Sequence, residues 1–172
     1  RWKILKKDIL KNYVGHVKIF INAKKLKKLK IAADAGNGMA GPEAREIFKK
    51  LPVQTTELFF KPDANFPNHE PDNLKDESLT ALKKAVIENN LYLWIIFDGD
   101  ADRVSFINEK GERIRNDFIT ALIAKELLSK NPGQKVLYEI RSSWVVKETI
   151  QEAGGEPVLW KASHSLIKEK MR

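Results

Sequence analysis

The sequence predicts an α/β fold: one complete mixed-sheet α/β domain over residues 1–113, then an incomplete second α/β domain of the same type over residues 114–172. Three observations carry this. Short apolar, β-rich runs alternate with segments of helical period along the whole chain, the pattern of βα units. The first set of units closes in a hairpin near residue 114. The second set supplies too few strands to cover a core, which places the boundary near residues 112–116.

Taken in order, residues 1–22 carry Ile4, Leu5, Ile9, Leu10, Tyr13, Val14, Val17 and Ile21 at helical spacing and predict an amphipathic helix. A link rich in lysine (Lys24, Lys25, Lys27, Lys28, Lys30) leads to a short strand at 30–34. The strand breaks at Gly36, Gly38 and Gly41, and Pro42 suits the first turn of a helix over 43–50. Such a turn can cradle phosphate, but it lacks a P-loop lysine and dinucleotide spacing, so close packing of helix on strand is the expected role. Residues 53–60 read as a strand. The loop over 61–72, with Phe66-Pro67-Asn68-His69, is long for a connection, as functional loops often are; His69 beside Glu70 offers a ligand or a base, with capping of a turn the expected role. A helix over 75–90 and a strand over 92–97 follow, then the hairpin 104–107/112–114, turned at Asn108-Glu109-Lys110-Gly111. The second unit reads as a helix over 117–129, the break Asn131-Pro132-Gly133, a strand over 135–140, a helix to about 153, a strand over 157–160, and a helix from near His164.

Composition narrows the function. The chain has 172 residues and no cysteine, so disulfides and thiolate metal sites are excluded. No apolar run reaches the length of a membrane span and no signal peptide opens the chain, so no membrane partner is expected and a cytoplasmic location is the default. A net charge of +8 suits an anionic partner. The lysine run lies beside no aromatic side chain that could stack on a base, so a solvated connection is expected there and not a nucleic-acid site. The chain opens at Arg1 without an initiator methionine and stops at Arg172 within a helical pattern, so both ends are expected to be cuts.

The most informative stretch is Leu93-Trp94-Ile95-Ile96-Phe97-Asp98-Gly99-Asp100-Ala101-Asp102-Arg103. Five apolar residues read as a strand buried on both faces, and it runs into three alternating aspartates. In open α/β sheets, ligands gather at the carboxyl ends of strands. Like charges about 4 Å apart repel by roughly 4 kcal/mol per pair at an effective dielectric near 20, and Arg103 offsets only part of this. A hard divalent ion, Mg²⁺ first, is the expected remedy. Asp98, Asp100, Asp102 and Glu109 also match ligand positions of an EF-hand, but Arg103 stands where that loop needs glycine and the flanks are strands. A haloacid-dehalogenase-like phosphatase with Asp98 as nucleophile shares the Asp-x-Asp pattern and remains the alternative. A non-enzymatic basic binding module is a second.

Together with Gly38-Met39-Ala40-Gly41, Phe66-Pro67-Asn68-His69, Asn131-Pro132-Gly133 and His164-Ser165-Leu166-Ile167-Lys168, the aspartate loop resembles the α-D-phosphohexomutase superfamily, on its bacterial phosphomannomutase/phosphoglucomutase branch. The resemblance covers essentially the whole chain. It implies the second of four domains and about the first half of the third. It further implies a parent enzyme that interconverts hexose 1-phosphate and 6-phosphate through a phosphoserine and a bisphosphate intermediate. The implied metal ligands, for Mg²⁺, are Asp98, Asp100 and Asp102. Arg103 and His164 are the implied catalytic residues, with Arg141, His164 and Arg103 contacting the phosphorylated hexose. Arg141 replaces a lysine of the relatives, so it is expected to hold phosphate or sugar and not to accept a proton. Ser163 stands before His164 where glycine is common, and Ala101 replaces a frequent glycine, a conservative change for a metal loop. Ala162-Ser163-His164 imitates the family's phosphoserine loop, but Ser165-Leu166 follows where Asn-Pro belongs and the segment lies downstream of the metal loop. The third-domain histidine is the implied role. The remaining domains of the parent enzyme are the implied partners, and this chain alone is expected to be inactive.

Overall fold

The structure, a computed structural model, describes residues 3–72 and 91–172. It divides into two compact units, Arg1–Arg113 and Ile114–Arg172. The first holds a mixed sheet of order β2-β1-β3-β4-β5, made of β1 (Leu29–Asp34), β2 (Val53–Leu58), β3 (Leu93–Phe97), β4 (Val104–Asn108) and β5 (Arg113–Ile114). β1 runs parallel to both β2 and β3, and β4 runs antiparallel to β3. With a neighbour on each side, β1 is buried from Ile31 to Asp34. The helix α2 (Ala40–Phe48) follows the glycine turn.

Alternation along the strands builds two cores, one on each face of the sheet. Ala32, Trp94, Ile96, Ile107 and Leu91 form one. Ala33, Ala35, Ala40, Ala44 and Phe60 form the other, where small side chains let α2 sit close to the sheet. β3 therefore departs from the expected burial on both faces. Trp94 and Ile96 are inaccessible, whereas Leu93, Ile95 and Phe97 are half-buried. The α2 side opens beside Phe97 into a groove of 810 Å³ lined by Ile9, Leu10, Phe48, Val104 and Phe106.

Two further expectations need correction. The first helix is α1 (Leu10–Lys18) and not residues 1–22. Asp8 Oδ1 accepts the Leu10 N–H at 2.9 Å and marks its start, while Ile4, Leu5, Ile19 and Phe20 are exposed. Apolar spacing without a surface to pack on does not hold a helix. β2 ends at Leu58: Phe59 adopts a left-handed φ of +54°, which breaks the extended backbone, and Phe60 after it is buried in the core. The helix predicted over 75–90 lies outside the described residues. The hairpin matches expectation: Asn108 Oδ1 accepts the N–H groups of Lys110 and Glu112, and Gly111 takes φ +78°.

The second unit contains α3 (Asn116–Lys130), β6 (Lys135–Glu139), α4 (Trp144–Glu152), β7 (Glu156–Trp160) and α5 (His164–Met171). β6 and β7 pair in parallel. Ala124 and Leu128 of α3 pack on Val146 and Ile150 of α4 above Val136 and Tyr138. Phe118, Leu122, Ile123 and Leu127 leave the outer side of α3 exposed and apolar, the composition of a helix built for burial on more than one side. The sheet has only two strands, in keeping with an incomplete α/β unit.

Candidate functional site

The acidic loop begins where β3 ends. Asp98, fully buried, closes it: its N–H donates to the Arg103 carbonyl at 3.2 Å, its own carbonyl accepts from Ala101 at 3.2 Å, and its Oδ1 accepts the Arg103 N–H at 3.1 Å. This small ring turns Asp100 and Asp102 back towards Asp98. One carboxylate oxygen from each of the three lies within 4.8 Å of the others, and Asp100 and Asp102 are exposed. The turn requires φ +64° at Ala101, a left-handed conformation costly for a residue with a Cβ. In this light the alanine is not a neutral replacement for glycine.

Arg103 lies across the cluster, with Nε 2.6 Å from Asp98 Oδ2 and 3.3 Å from Asp102 Oδ1. The attraction of Asp98, then the hydrogen bond to Asp102, raises its pKa above the ordinary guanidinium value. Yet Asp98 Oδ2 accepts no aligned hydrogen bond among the described residues. A buried carboxylate whose counter-charge is a largely exposed arginine, facing two more carboxylates, is a ligand set suited to a hard cation.

Two other segments hold the loop at Gly99. Its N–H donates to the Pro71 carbonyl at 3.2 Å, and its carbonyl accepts the Met39 N–H at 3.0 Å. Gly38 lies so close to Gly99 that a Cβ would overlap the Gly99 backbone. The glycine turn thus serves close approach, as expected, but at Gly38 the neighbour is the acidic loop and not a strand. At Gly41 the neighbour is the Phe60 backbone after β2.

Sequence reasoning did not single out Asp34. This fully buried carboxylate ends β1, and its Oδ2 accepts from His69 Nε2 at 3.1 Å. Its Oδ1 accepts the Gly36 N–H at 2.7 Å. His69 Nδ1 meets the Glu70 carbonyl oxygen at 2.8 Å. Both ring nitrogens therefore face acceptors, and the hydrogen bond to Asp34 raises the pKa of His69 above 6.5. His69 does hold its own turn, as expected, and also reaches across to β1. An acid ending a buried strand needs a partner, and that was the available signal. Nearby, Asn68 Nδ2 donates to Asn37 Oδ1 at 2.7 Å and Asn37 Nδ2 to the Lys61 carbonyl at 2.8 Å.

The structure thus brings Asp98, Asp100, Asp102 and Arg103 together. Arg141 and His164 belong to the second unit, just beyond the carboxyl ends of β6 and β7. Arg141 is exposed and forks onto Glu139, Nε to Oε1 at 2.9 Å and Nη2 to Oε2 at 2.8 Å, which raises its pKa. His164 is exposed at the start of α5, one residue after Ser163, whose hydroxyl lies 3.1 Å from that of Ser165. Among the described residues no helix is long and apolar enough to cross a membrane.

Residues 11–111 match the family model for phosphoglucomutase/phosphomannomutase α/β/α domain II, and residues 115–172 match that for α/β/α domain III. The chain is 42% identical over 165 residues to a phosphomannomutase of Escherichia coli strain K12, covering 93% of this chain and 36% of the relative. It is 39% identical over 173 residues to a phosphoglucomutase of Neisseria gonorrhoeae, covering 98% of this chain and 36% of the relative. A crystal structure of a phosphoglucomutase/phosphomannomutase family protein from Burkholderia thailandensis superposes with a TM-score of 0.88 at 36% identity, over 98% of this chain and 36% of that one. A putative phosphomannomutase from Thermus thermophilus has the same fold at TM-score 0.79 and 16% identity, over 95% of this chain and 38% of that one. The chain spans about a third of the length of these relatives.

Proposed function

The chain belongs to the phosphoglucomutase/phosphomannomutase family, and we propose that it carries the divalent-metal loop of a larger phosphohexomutase. The parent enzyme would move a phosphoryl group between O1 and O6 of a hexose, through a phosphoserine outside this chain and a bisphosphate intermediate. Residues 1–113 would form the metal-binding domain and residues 114–172 part of the next. The observation that carries this is the convergence of Asp98, Asp100 and Asp102, one carboxylate oxygen of each lying within 4.8 Å of the others, with Asp98 fully buried beneath solvent-exposed Asp100 and Asp102 ligands.

These three carboxylates would hold Mg²⁺, since three oxygen ligands with room for others suit its octahedral preference. The bound ion would supply Lewis-acid neutralisation of phosphoryl charge. The remaining roles fall to side chains. Arg103, more than half exposed, can turn from Asp98 to a phosphoryl oxygen and fix it by charge-assisted hydrogen bonds. Arg141, whose proton Glu139 holds more tightly, would grip phosphate or sugar and not act as a base. His164 would contact the sugar and is the candidate for proton transfer. A hexose phosphate is the proposed substrate, the other domains of the parent are the proposed partners, and the cytoplasm is the proposed location. The dehalogenase-like and basic-module alternatives are not favoured by the family match.

Without the serine donor, metal binding but no mutase turnover is the expected behaviour of this chain. Mn²⁺ titration followed by water-proton relaxation or calorimetry should show one site in the wild-type chain. That site should be lost or at least about tenfold weaker in Asp100→Asn, a change that removes an exposed ligand charge without touching the core. Equal binding by the two proteins refutes the assignment.

A further inference from the structure

Asp34 and His69 have no place in the chemistry above, although the buried Asp34 carboxylate pairs with the partly buried His69 ring at the same edge of the sheet. Asp34 ends β1, and β1 lies beside β3, whose end starts the acidic loop. Two backbone arms leave Asp34 and meet again at Gly99. The first runs through Gly36, whose N–H is bound by Asp34 Oδ1 at 2.7 Å and which takes φ +51°. It continues through the glycine turn to Met39, whose N–H binds the Gly99 carbonyl at 3.0 Å. The second runs through His69, bound by Asp34 Oδ2 at 3.1 Å, to Pro71, whose carbonyl accepts the Gly99 N–H at 3.2 Å. Both polar groups of the Gly99 peptide units are therefore held by segments that Asp34 anchors. Gly99 is the hinge residue between Asp98 and Asp100.

The geometry points to Asp34 and His69 as positioning residues: together they fix Gly99 and thereby set the gap between the Asp98 and Asp100 carboxylates. With the ring protonated, His69 does this as a two-headed donor: Nε2 donates to Asp34 and Nδ1 to the Glu70 carbonyl, so the ring pins the loop two residues before Pro71. Phe59 packs edge-on to the ring with centroids 5.4 Å apart, and Cε1 faces Gly36, where a Cβ would come within 3.2 Å of it. The loop over 61–72 has no helix or strand of its own to hold Pro71 in place. Its register against β1 is kept by His69 and by the Asn37 contacts to Lys61, Asp63 and Asn68.

The effect on metal affinity rests on the metal reading of the acidic loop; the fixing of Gly99 does not. The test therefore uses two measurements on the full chain: amide hydrogen exchange at Gly99, with Ala32 in the interior of β1 as the control, and Mn²⁺ binding. His69→Ala should speed Gly99 exchange at least about tenfold, leave Ala32 unchanged, and weaken Mn²⁺ by about tenfold, the lower end of the range for residues that orient ligands. His69→Gln keeps a side-chain N–H donor and should recover part of both. Asp34→Asn, which keeps an acceptor for Gly36, should loosen Gly99 as His69→Ala does. Gly99 exchange and Mn²⁺ affinity unchanged in folded His69→Ala overturns the proposal. So does equal acceleration at Ala32 and Gly99 in all three variants, which would mark a general role in stability. A wild-type chain that takes no Mn²⁺ but whose Gly99 loosens in His69→Ala removes the metal reading and leaves the clamp. Mn²⁺ bound by the wild type and lost in Asp100→Asn, with Gly99 indifferent to His69, does the reverse.

Discussion

Nε of Arg103 lies 2.6 Å from Oδ2 of Asp98, yet no N–H of the guanidinium is aligned on that oxygen. The contact is chiefly electrostatic: a largely exposed positive charge rests against a buried negative one. A divalent ion approaching the three aspartates must displace that charge or bind beside it. Arg103→Ala should therefore bind Mn²⁺ more tightly, not less. Solvent screens the exposed guanidinium, so the expected gain is only about two- to fivefold. Calorimetric titration of the two proteins at matched ionic strength checks this. The Arg103 N–H that holds Asp98 Oδ1 belongs to the backbone and survives the substitution.

The left-handed Ala101 should be improvable. Its φ of +64° carries a Cβ penalty that glycine lacks. Part of the gain is offset by the greater freedom of glycine in the unfolded chain. Ala101→Gly is expected to raise stability by up to about 1 kcal/mol. The urea midpoint by circular dichroism measures it, and a decrease would show that the loop is not strained.

Glycines should divide by what surrounds them. A Cβ on Gly38 would meet the Gly99 backbone, whereas one on Gly15, inside α1, meets nothing within 4 Å. Gly38→Ala should cost about 1–3 kcal/mol, because neither backbone can give way without moving the acidic loop. Gly15→Ala should stabilise by about 0.5–1 kcal/mol through helix propensity. Denaturant midpoints for the two variants should shift in opposite directions.

His69 gives the chain a pH dependence of known sign. Its folded pKa is raised above 6.5 by the hydrogen bond to Asp34. The folded state therefore binds the proton more tightly than the unfolded state. The stability this contributes is fully present below the unfolded value and is lost as pH rises through the raised folded value. Urea midpoints of the wild type should fall across that interval, and those of His69→Gln should fall less. Imidazole proton shifts followed by NMR locate the titration independently.

Element order and the acidic loop were legible from residue pattern alone. The loop shows itself because three carboxylates at alternate positions after an apolar strand leave few physical options. Alternation of β-rich and helical segments was enough for the two α/β units, and Asn108 and Gly111 for the hairpin. Helix α1 was overextended because Ile4 and Leu5 have helical spacing but no surface to pack on. The end of β2 was misplaced because φ at Phe59 depends on where Phe60 must be buried, which local pattern does not reveal.

The sequence by itself determined which residues could form the cluster: their acidity, their spacing, and the buried strand before them. Only the tertiary structure decided that Asp34 and His69, 35 residues apart, meet at the end of the neighbouring strand, and that Gly99 is held from Met39 on one side and Pro71 on the other. The physical reason is that spacing along a strand or turn is set by local backbone geometry. A contact between segments is set by which strands become neighbours, and that is chosen by the burial of the sheet as a whole.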